Sequence, residues 1–143
     1  GALPPLIGWA GAGGGFDLFA PYFLFGLLFL WQLPHFVAIN WMYREEYESA
    51  GFMMWSNGDL DGNKTANLAI VFSLVLVGLI LMSLFANFVN LLVIIVLVFL
   101  TLVKVVFAFK FKLSPSREKA KRLFLFTLLY LPVSLTLLIL GWK

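Results

Sequence analysis

The chain has 143 residues, of which 62% are hydrophobic and only 12% charged, and its mean hydropathy is +1.00. Ordinary soluble domains are about 45–50% apolar and about 25% charged, so this composition excludes a water-soluble globular protein and marks an integral membrane protein. The net charge of +3 is explained below by topology and does not indicate nucleic-acid binding. The absence of cysteine excludes disulfides and thiolate chemistry.

The chain opens with GALPPLIGWAGAGGGFD, which is apolar but broken by Pro4, Pro5 and the glycines at 11, 13, 14 and 15. Prolines lack an amide donor and glycines weaken a helix, so such backbone survives at membrane depth only when buried in protein or lining a cavity. Residues 1–15 are expected to be the tail of a helix that begins upstream. The stretches Leu18–Tyr43 and Leu123–Trp142 carry no formal charge, and each is long enough to cross about 30 Å of hydrocarbon once. The uncharged run Thr65–Val103 would measure ~58 Å as one helix, so it must turn back, and the polar punctuation at Ala86–Asn90 predicts where. Four full spans are expected, at about 16–42, 66–86, 90–110 and 117–141. They are expected to form an all-α, polytopic bundle that is the carboxyl-terminal part of a single membrane-embedded domain.

If the spans alternate, the 43–65 and 111–118 connections share one face. That face collects Arg44, Lys64, Lys110, Lys112, Arg117, Lys119, Lys121 and Arg122, leaving only Lys143 opposite. The positive-inside bias makes it the cytoplasmic or matrix side. Lys104, within the third span, either snorkels toward the basic face or points into the bundle, and snorkelling is the expectation.

The connections carry turn chemistry. Ser114 and Pro115 predict an N-cap and first helical position for the last span. In SNGDLDGNKT, Asn57, Asp59, Asp61 and Gly62 match four positions of an EF-hand loop, but Leu68 stands where a bidentate Glu is required. A turn, with Asn63 or Thr65 capping the next helix, is the better reading.

Polar chemistry concentrates in LWQLPHFVAINWMYREEY, residues 30–47. Pro34 removes a helical hydrogen bond and predicts a kink that frees a carbonyl inside the membrane. His35 and Glu46 are about three turns apart, ~16 Å along a helix axis and on nearly the same face. A helix persisting to Glu46 would carry one stripe from a buried imidazole to a carboxylate at the mouth. That stripe suits a substrate with an apolar body and an anionic head. Carboxylates there could hold Mg²⁺ together with substrate phosphates, and Arg44 could contact phosphate. His35 could ligate a haem iron, donate a proton or simply hydrogen-bond. The alternative from physics alone is a packing histidine beside a solvated charge cluster.

The order GALPPLIGW, FLWQLPHFVAINWMYREEYESAGFMM and KAKRLFLFTLLYLPVSLTLLIL resembles the carboxyl-terminal half of the haem-farnesylating branch of the UbiA family of intramembrane prenyltransferases. The resemblance runs nearly end to end and rests on two combined patterns, Trp-Gln-x-Pro-His-Phe and Tyr-Arg-x-acid-Tyr-x-x-Ala-Gly. It implies a nine-helix fold of which this chain holds the end of the fifth span and the sixth to ninth. It also implies transfer of farnesyl from farnesyl diphosphate to a vinyl carbon of haem b, with Mg²⁺ and cationic side chains stabilising the departing diphosphate. By carry-over, His35 is expected near haem, with Gln32, Trp31 and Tyr47 binding substrate. Glu46, Glu45 and Arg44 fall at the catalytic mouth, with Glu46 and Glu45 as metal ligands. The aromatic faces of Trp31, Phe36 and Trp41 could stabilise an allylic cation, although packing explains them more simply.

Two positions depart from the family pattern: Glu46 stands where Asp is usual, adding a methylene, and MMWSN replaces a Met-Leu-Pro-like sequence. The family's first Asp-rich motif has no counterpart in these residues, so the chain alone is expected to be inactive. The resemblance further implies a bacterial plasma membrane or mitochondrial inner membrane, and haem A synthase or oxidase assembly factors as partners. Competing readings are a quinone or chlorophyll prenyltransferase, for which a DxxxD motif is expected where this chain reads REEYESAGF, and a non-enzymatic haem-binding or structural subunit. A transporter is disfavoured because the second and third spans offer almost no polar residues.

Overall fold

The structure is a computed structural model describing residues 1–143. A short helix, α1 (Pro4–Gly11), uses its prolines in the first turn, where a missing N–H costs nothing. It packs on α2 (Phe19–Met42), which is followed by α3 (Arg44–Ser49), α4 (Asn63–Ala86), α5 (Leu91–Leu113) and α6 (Arg117–Leu140). The four long helices are apolar and long enough to span a bilayer. Their bounds agree with the expected spans to within a few residues. The reversal between α4 and α5 falls at the expected ANFVN stretch. Asn87 adopts left-handed backbone (φ 51°), and Asn90 caps α5 by accepting from the Leu92 amide.

The helices close into a ring in which α2 touches α4 and α6, and α5 touches the same two. Because lipid is as apolar as leucine, helices in a bilayer associate through close packing more than through apolar burial. The buried positions obey that logic. On α4 they are Thr65, Ala66, Ala69, Ser73, Leu76, Ile80 and Ser83, spaced three and four apart from Ala66 onward. Three buried hydroxyls are satisfied within their own helices: Ser73 donates to the Ala69 carbonyl, Ser83 to that of Ile80 and Thr101 to that of Leu97. A layer of alanines, Ala38, Ala69 and Ala108, lies between a large-residue layer around Phe23, Leu27, Leu76 and Leu97 and a third at the basic end around Trp41 and Phe111. Gly26 serves the same closeness, since a Cβ there would stand 2.8 Å from Leu79 Cδ2.

Lys104 corrects an expectation. It lies in register with Leu97, Thr101, Ala108 and Phe111 on the packed face of α5 and is fully buried, so it points into the bundle and does not snorkel. Its amine has no hydrogen-bond partner and sits 4.5 Å from the Tyr130 ring centroid, while the Tyr130 hydroxyl bonds Thr101 at 2.8 Å. An unsatisfied buried polar group costs ~1–3 kcal/mol, against ~0.5–2 kcal/mol recovered from the ring. Lys104→Met should therefore leave the protein as stable or slightly more so in a thermal melt in detergent. A clear loss would show that the ring contact dominates.

The caps depart from expectation in two places. Neither Asn63 nor Thr65 caps α4. The buried Asp59 does so from within the preceding turn, its carboxylate accepting from the Lys64 amide (3.1 Å), the Thr65 amide (2.9 Å) and the Thr65 hydroxyl (2.7 Å). The N-cap position belongs to Gly62, which is left-handed (φ +65°) and has the Phe111 ring where a Cβ would be. Trp41 Nε1 donates to the Asp59 carbonyl at 2.8 Å and Ser56 to that of Asn40 at 3.1 Å, which ties the loop to the end of α2. Nearby, hydrogen bonds from the Asn63 side chain and backbone hold the exposed Asp61 carboxyl below its usual range. Likewise α6 is capped by Ser116, which accepts from the Lys119 amide, and not by Ser114, which ends α5 and receives the Lys119 ammonium.

Candidate functional site

The polar residues of residues 30–47 divide among three neighbourhoods. Trp31 and His35 are one turn apart on α2 and both reach the same residue of α6. Trp31 Nε1 donates to the Thr127 carbonyl at 2.7 Å, and His35 Nδ1 lies 2.9 Å from Thr127 Oγ1. The imidazole is stacked between the indole of Trp31 (centroids 5.1 Å apart) and the ring of Phe124 (4.7 Å). Thr127 has one hydroxyl proton, and it goes to the Phe124 carbonyl at 2.6 Å. Its oxygen must then accept from His35, which assigns the imidazole proton to Nδ1 and leaves the Nε2 lone pair uncommitted. A ring held in plane from both sides with one free nitrogen can ligate a metal centre or accept a proton.

Gln32 and Phe36 share a different face. The Gln32 amide oxygen lies against Gly1, where a Cβ would approach to 2.5 Å, and Phe36 is half exposed. Gln32 therefore faces the amino-terminal segment and does not join the His35 cluster. Trp41 is buried, with Arg44 4.0 Å above its ring and Phe111 edge-on at 4.8 Å, so packing accounts for it.

The mouth begins where α2 stops. The helix runs unbroken through Pro34 and ends at Tyr43 (φ −110°, ψ 22°), so the expected continuous stripe from His35 to Glu46 is interrupted. Tyr43 N still bonds the Ile39 carbonyl and Tyr47 N that of Tyr43, which keeps α3 tethered to α2. Beyond the break, Arg44 donates to the Trp41 carbonyl at 2.9 Å and reaches Glu45 at 3.5 Å, whereas Glu46 receives Arg117 of α6 at 3.1 Å. Arg117 also lies 5.0 Å from the Tyr43 ring centroid, and Tyr47 packs edge-on against Phe52. An open hollow of about 430 Å³ adjoins this pair, lined by Met42, Tyr43, Arg117, Glu118 and Lys121.

Donor chemistry sets what the mouth can hold. Glu45 and Glu46 have side chains 81% and 54% exposed, and nowhere in the chain do three acidic or imidazole side chains gather. Two accessible carboxylates do not make a closed cage for a divalent cation. They do suit Mg²⁺, which is commonly bound through one or two carboxylates with the remaining positions filled by phosphate oxygens and water. Arg44, Arg117 and Lys121 complement phosphate at the same place. Thr127, Phe124 and Arg117 were not singled out by the sequence. Thr127 did carry one signal, as the only threonine in LFLFTLLYL with the spacing of the buried stripe Leu123, Tyr130 and Ser134.

Together, fold and site define a polytopic α-helical membrane protein whose candidate site lies on one flank and at one end of its bundle. The chain belongs to the UbiA prenyltransferase family, whose pattern matches residues 1–131. Over 77 residues it is 44% identical to the protoheme IX farnesyltransferase of Solibacter usitatus, covering 54% of this chain and 26% of that protein. It is 41% identical over 81 residues to the mitochondrial protoheme IX farnesyltransferase of Yarrowia lipolytica, covering 55% of this chain and 17% of that protein. The Anaeromyxobacter dehalogenans protoheme IX farnesyltransferase is 51% identical over 57 residues, 40% of this chain and 19% of the relative. The matched segments thus span about a quarter or less of these relatives. No solved structure matches.

Proposed function

We propose that the protein carrying this chain is a prenyltransferase that moves the farnesyl group of farnesyl diphosphate to a vinyl group of haem b, making haem O for terminal oxidases. The observation that carries the reading is the family match over residues 1–131 combined with relatives that share this one activity by name. The C–O bond to diphosphate breaks with its electron pair leaving on diphosphate. The terminal vinyl carbon bonds the allylic carbon, and water adds to the resulting cation with loss of a proton.

Glu46 and Glu45 would hold Mg²⁺ together with the diphosphate, and that cation would neutralise charge developing on the leaving group. Arg44, with Arg117 and Lys121 lining the adjacent hollow, would bind the phosphate oxygens. His35 would meet haem through its free Nε2, with Trp31 holding the imidazole from one face; Gln32 and Tyr47 would contact the substrates from the neighbouring segment and the mouth. The clustering of basic residues at one end of the bundle supports a cytoplasmic or matrix-facing mouth in a bacterial plasma or mitochondrial inner membrane. Haem A synthase and oxidase assembly factors would be the protein partners.

A conversion assay tests the reading: the full-length protein and this chain, each in membranes with haem b, farnesyl diphosphate and Mg²⁺, with haem O identified by chromatography and mass. Product is expected from the full-length protein and not from the chain. Haem binding without product from either would replace the proposal with a non-enzymatic haem-binding subunit.

A further inference from the structure

Helix α6 divides the basic end into two hollows that share no residue. The one beside Arg117 and Lys121 belongs to the mouth. The other is a notch of about 60 Å³ between α5 and α6, walled by Phe107, Lys110, Lys119 and Arg122. At about 100° per residue, Lys119 and Arg122 project from α6 roughly 150° away from Arg117 and Lys121. The notch therefore opens on the outer face of the bundle, away from the mouth.

Three cations converge there against a single carboxylate. Glu118 takes Arg122 at 2.5 Å, Lys119 is bonded to the neutral Ser114, and Lys110 has no carboxylate in reach. Immediately toward the bilayer centre the character changes. Phe107 packs on Phe126 with ring centroids 5.1 Å apart, and Val106, the preceding residue of α5, is exposed. A surplus of positive charge at the end of a span, directly above a half-buried aromatic pair on the outer side of the α5–α6 seam, matches an amphiphile with an anionic head.

We propose that the α5–α6 notch binds the phosphate of an anionic phospholipid, with Lys110, Lys119 and Arg122 around the headgroup and an acyl chain over Phe107 and Phe126. A free phosphate would use the same cations but would gain nothing from the aromatic pair. The site is independent of the prenyl-transfer reading.

Native mass spectrometry of the full-length protein from detergent, supplied with dioleoyl phosphatidylglycerol or dioleoyl phosphatidylcholine, tests it. Phosphatidylglycerol should be retained in preference to phosphatidylcholine, and Lys110→Ala/Lys119→Ala/Arg122→Ala should cut retention about tenfold or more. The equally charged control Lys64→Ala/Lys112→Ala/Lys143→Ala should retain the lipid, as should Lys110→Arg/Lys119→Arg, which keeps the charge should the alanine variant unfold. Equal loss from the control would mean diffuse surface attraction and overturn the site. Equal retention of both lipids, or displacement by millimolar inorganic phosphate, would overturn it as well.

Discussion

Glu46→Gln in the full-length protein should lower farnesyl transfer by at least ~10²-fold while leaving haem binding nearly unchanged, as read by product formation and by the haem absorbance titration. The side chain keeps its size and loses its charge. Its ion pair with Arg117 joins two well-exposed groups, and such pairs contribute only ~0–1 kcal/mol, so the fold should persist. Even residues behind a metal's own ligands change affinity or activity by ~10–100-fold, so loss of a direct carboxylate should cost at least that much. Under the proposed function haem, by contrast, would bind at the His35 flank on the other side of the break at Tyr43. Unchanged turnover would remove Glu46 from any metal role.

The second large effect falls on stability. Asp59→Ala should destabilise the protein by about 2–4 kcal/mol, seen as an earlier thermal transition in detergent. Three donors converge on this one buried carboxylate, the loss of a helix cap alone costs ~0.5–2 kcal/mol, and each donor left buried without a partner adds ~1–3 kcal/mol before relaxation. Asp59→Asn, which keeps an acceptor oxygen, should fall between. The Asp59 carbonyl also anchors Trp41, so proteolysis within residues 51–62 should accelerate in the alanine variant. A transition that does not move would mean that water replaces the carboxylate at the start of α4.

The spans were legible because a bilayer fixes the length of an apolar segment, and the reversal at Ala86–Asn90 was legible because it is the polar interruption of a run too long for one crossing. The errors arose where the structure uses a position other than the one the local pattern favours. Asp59 caps a helix it does not adjoin, and Lys104 follows the packed register of α5 even though the basic face is within a few turns. The break at Tyr43 has neither glycine nor proline to announce it. At the site, the one-turn spacing of Trp31 and His35 is a local fact, and the motif exposed it. Their meeting at Thr127 joins residues about ninety positions apart, as does Glu46 with Arg117 at about seventy, and no local pattern specifies either.

The interior of the ring is filled. Phe23, Leu27, Leu76, Ile80 and Leu97 are inaccessible to solvent, and the four hollows lie at the ends of the bundle or on its outer surface. The axis of this ring offers no passage from water toward the His35 flank. Under the proposed function, haem bound at that flank would arrive sideways, diffusing within the plane of the membrane. Occupancy will then follow the mole fraction of ligand among the lipids and not its concentration in the aqueous phase, so diluting the vesicles should leave it unchanged while adding inert lipid should reduce it.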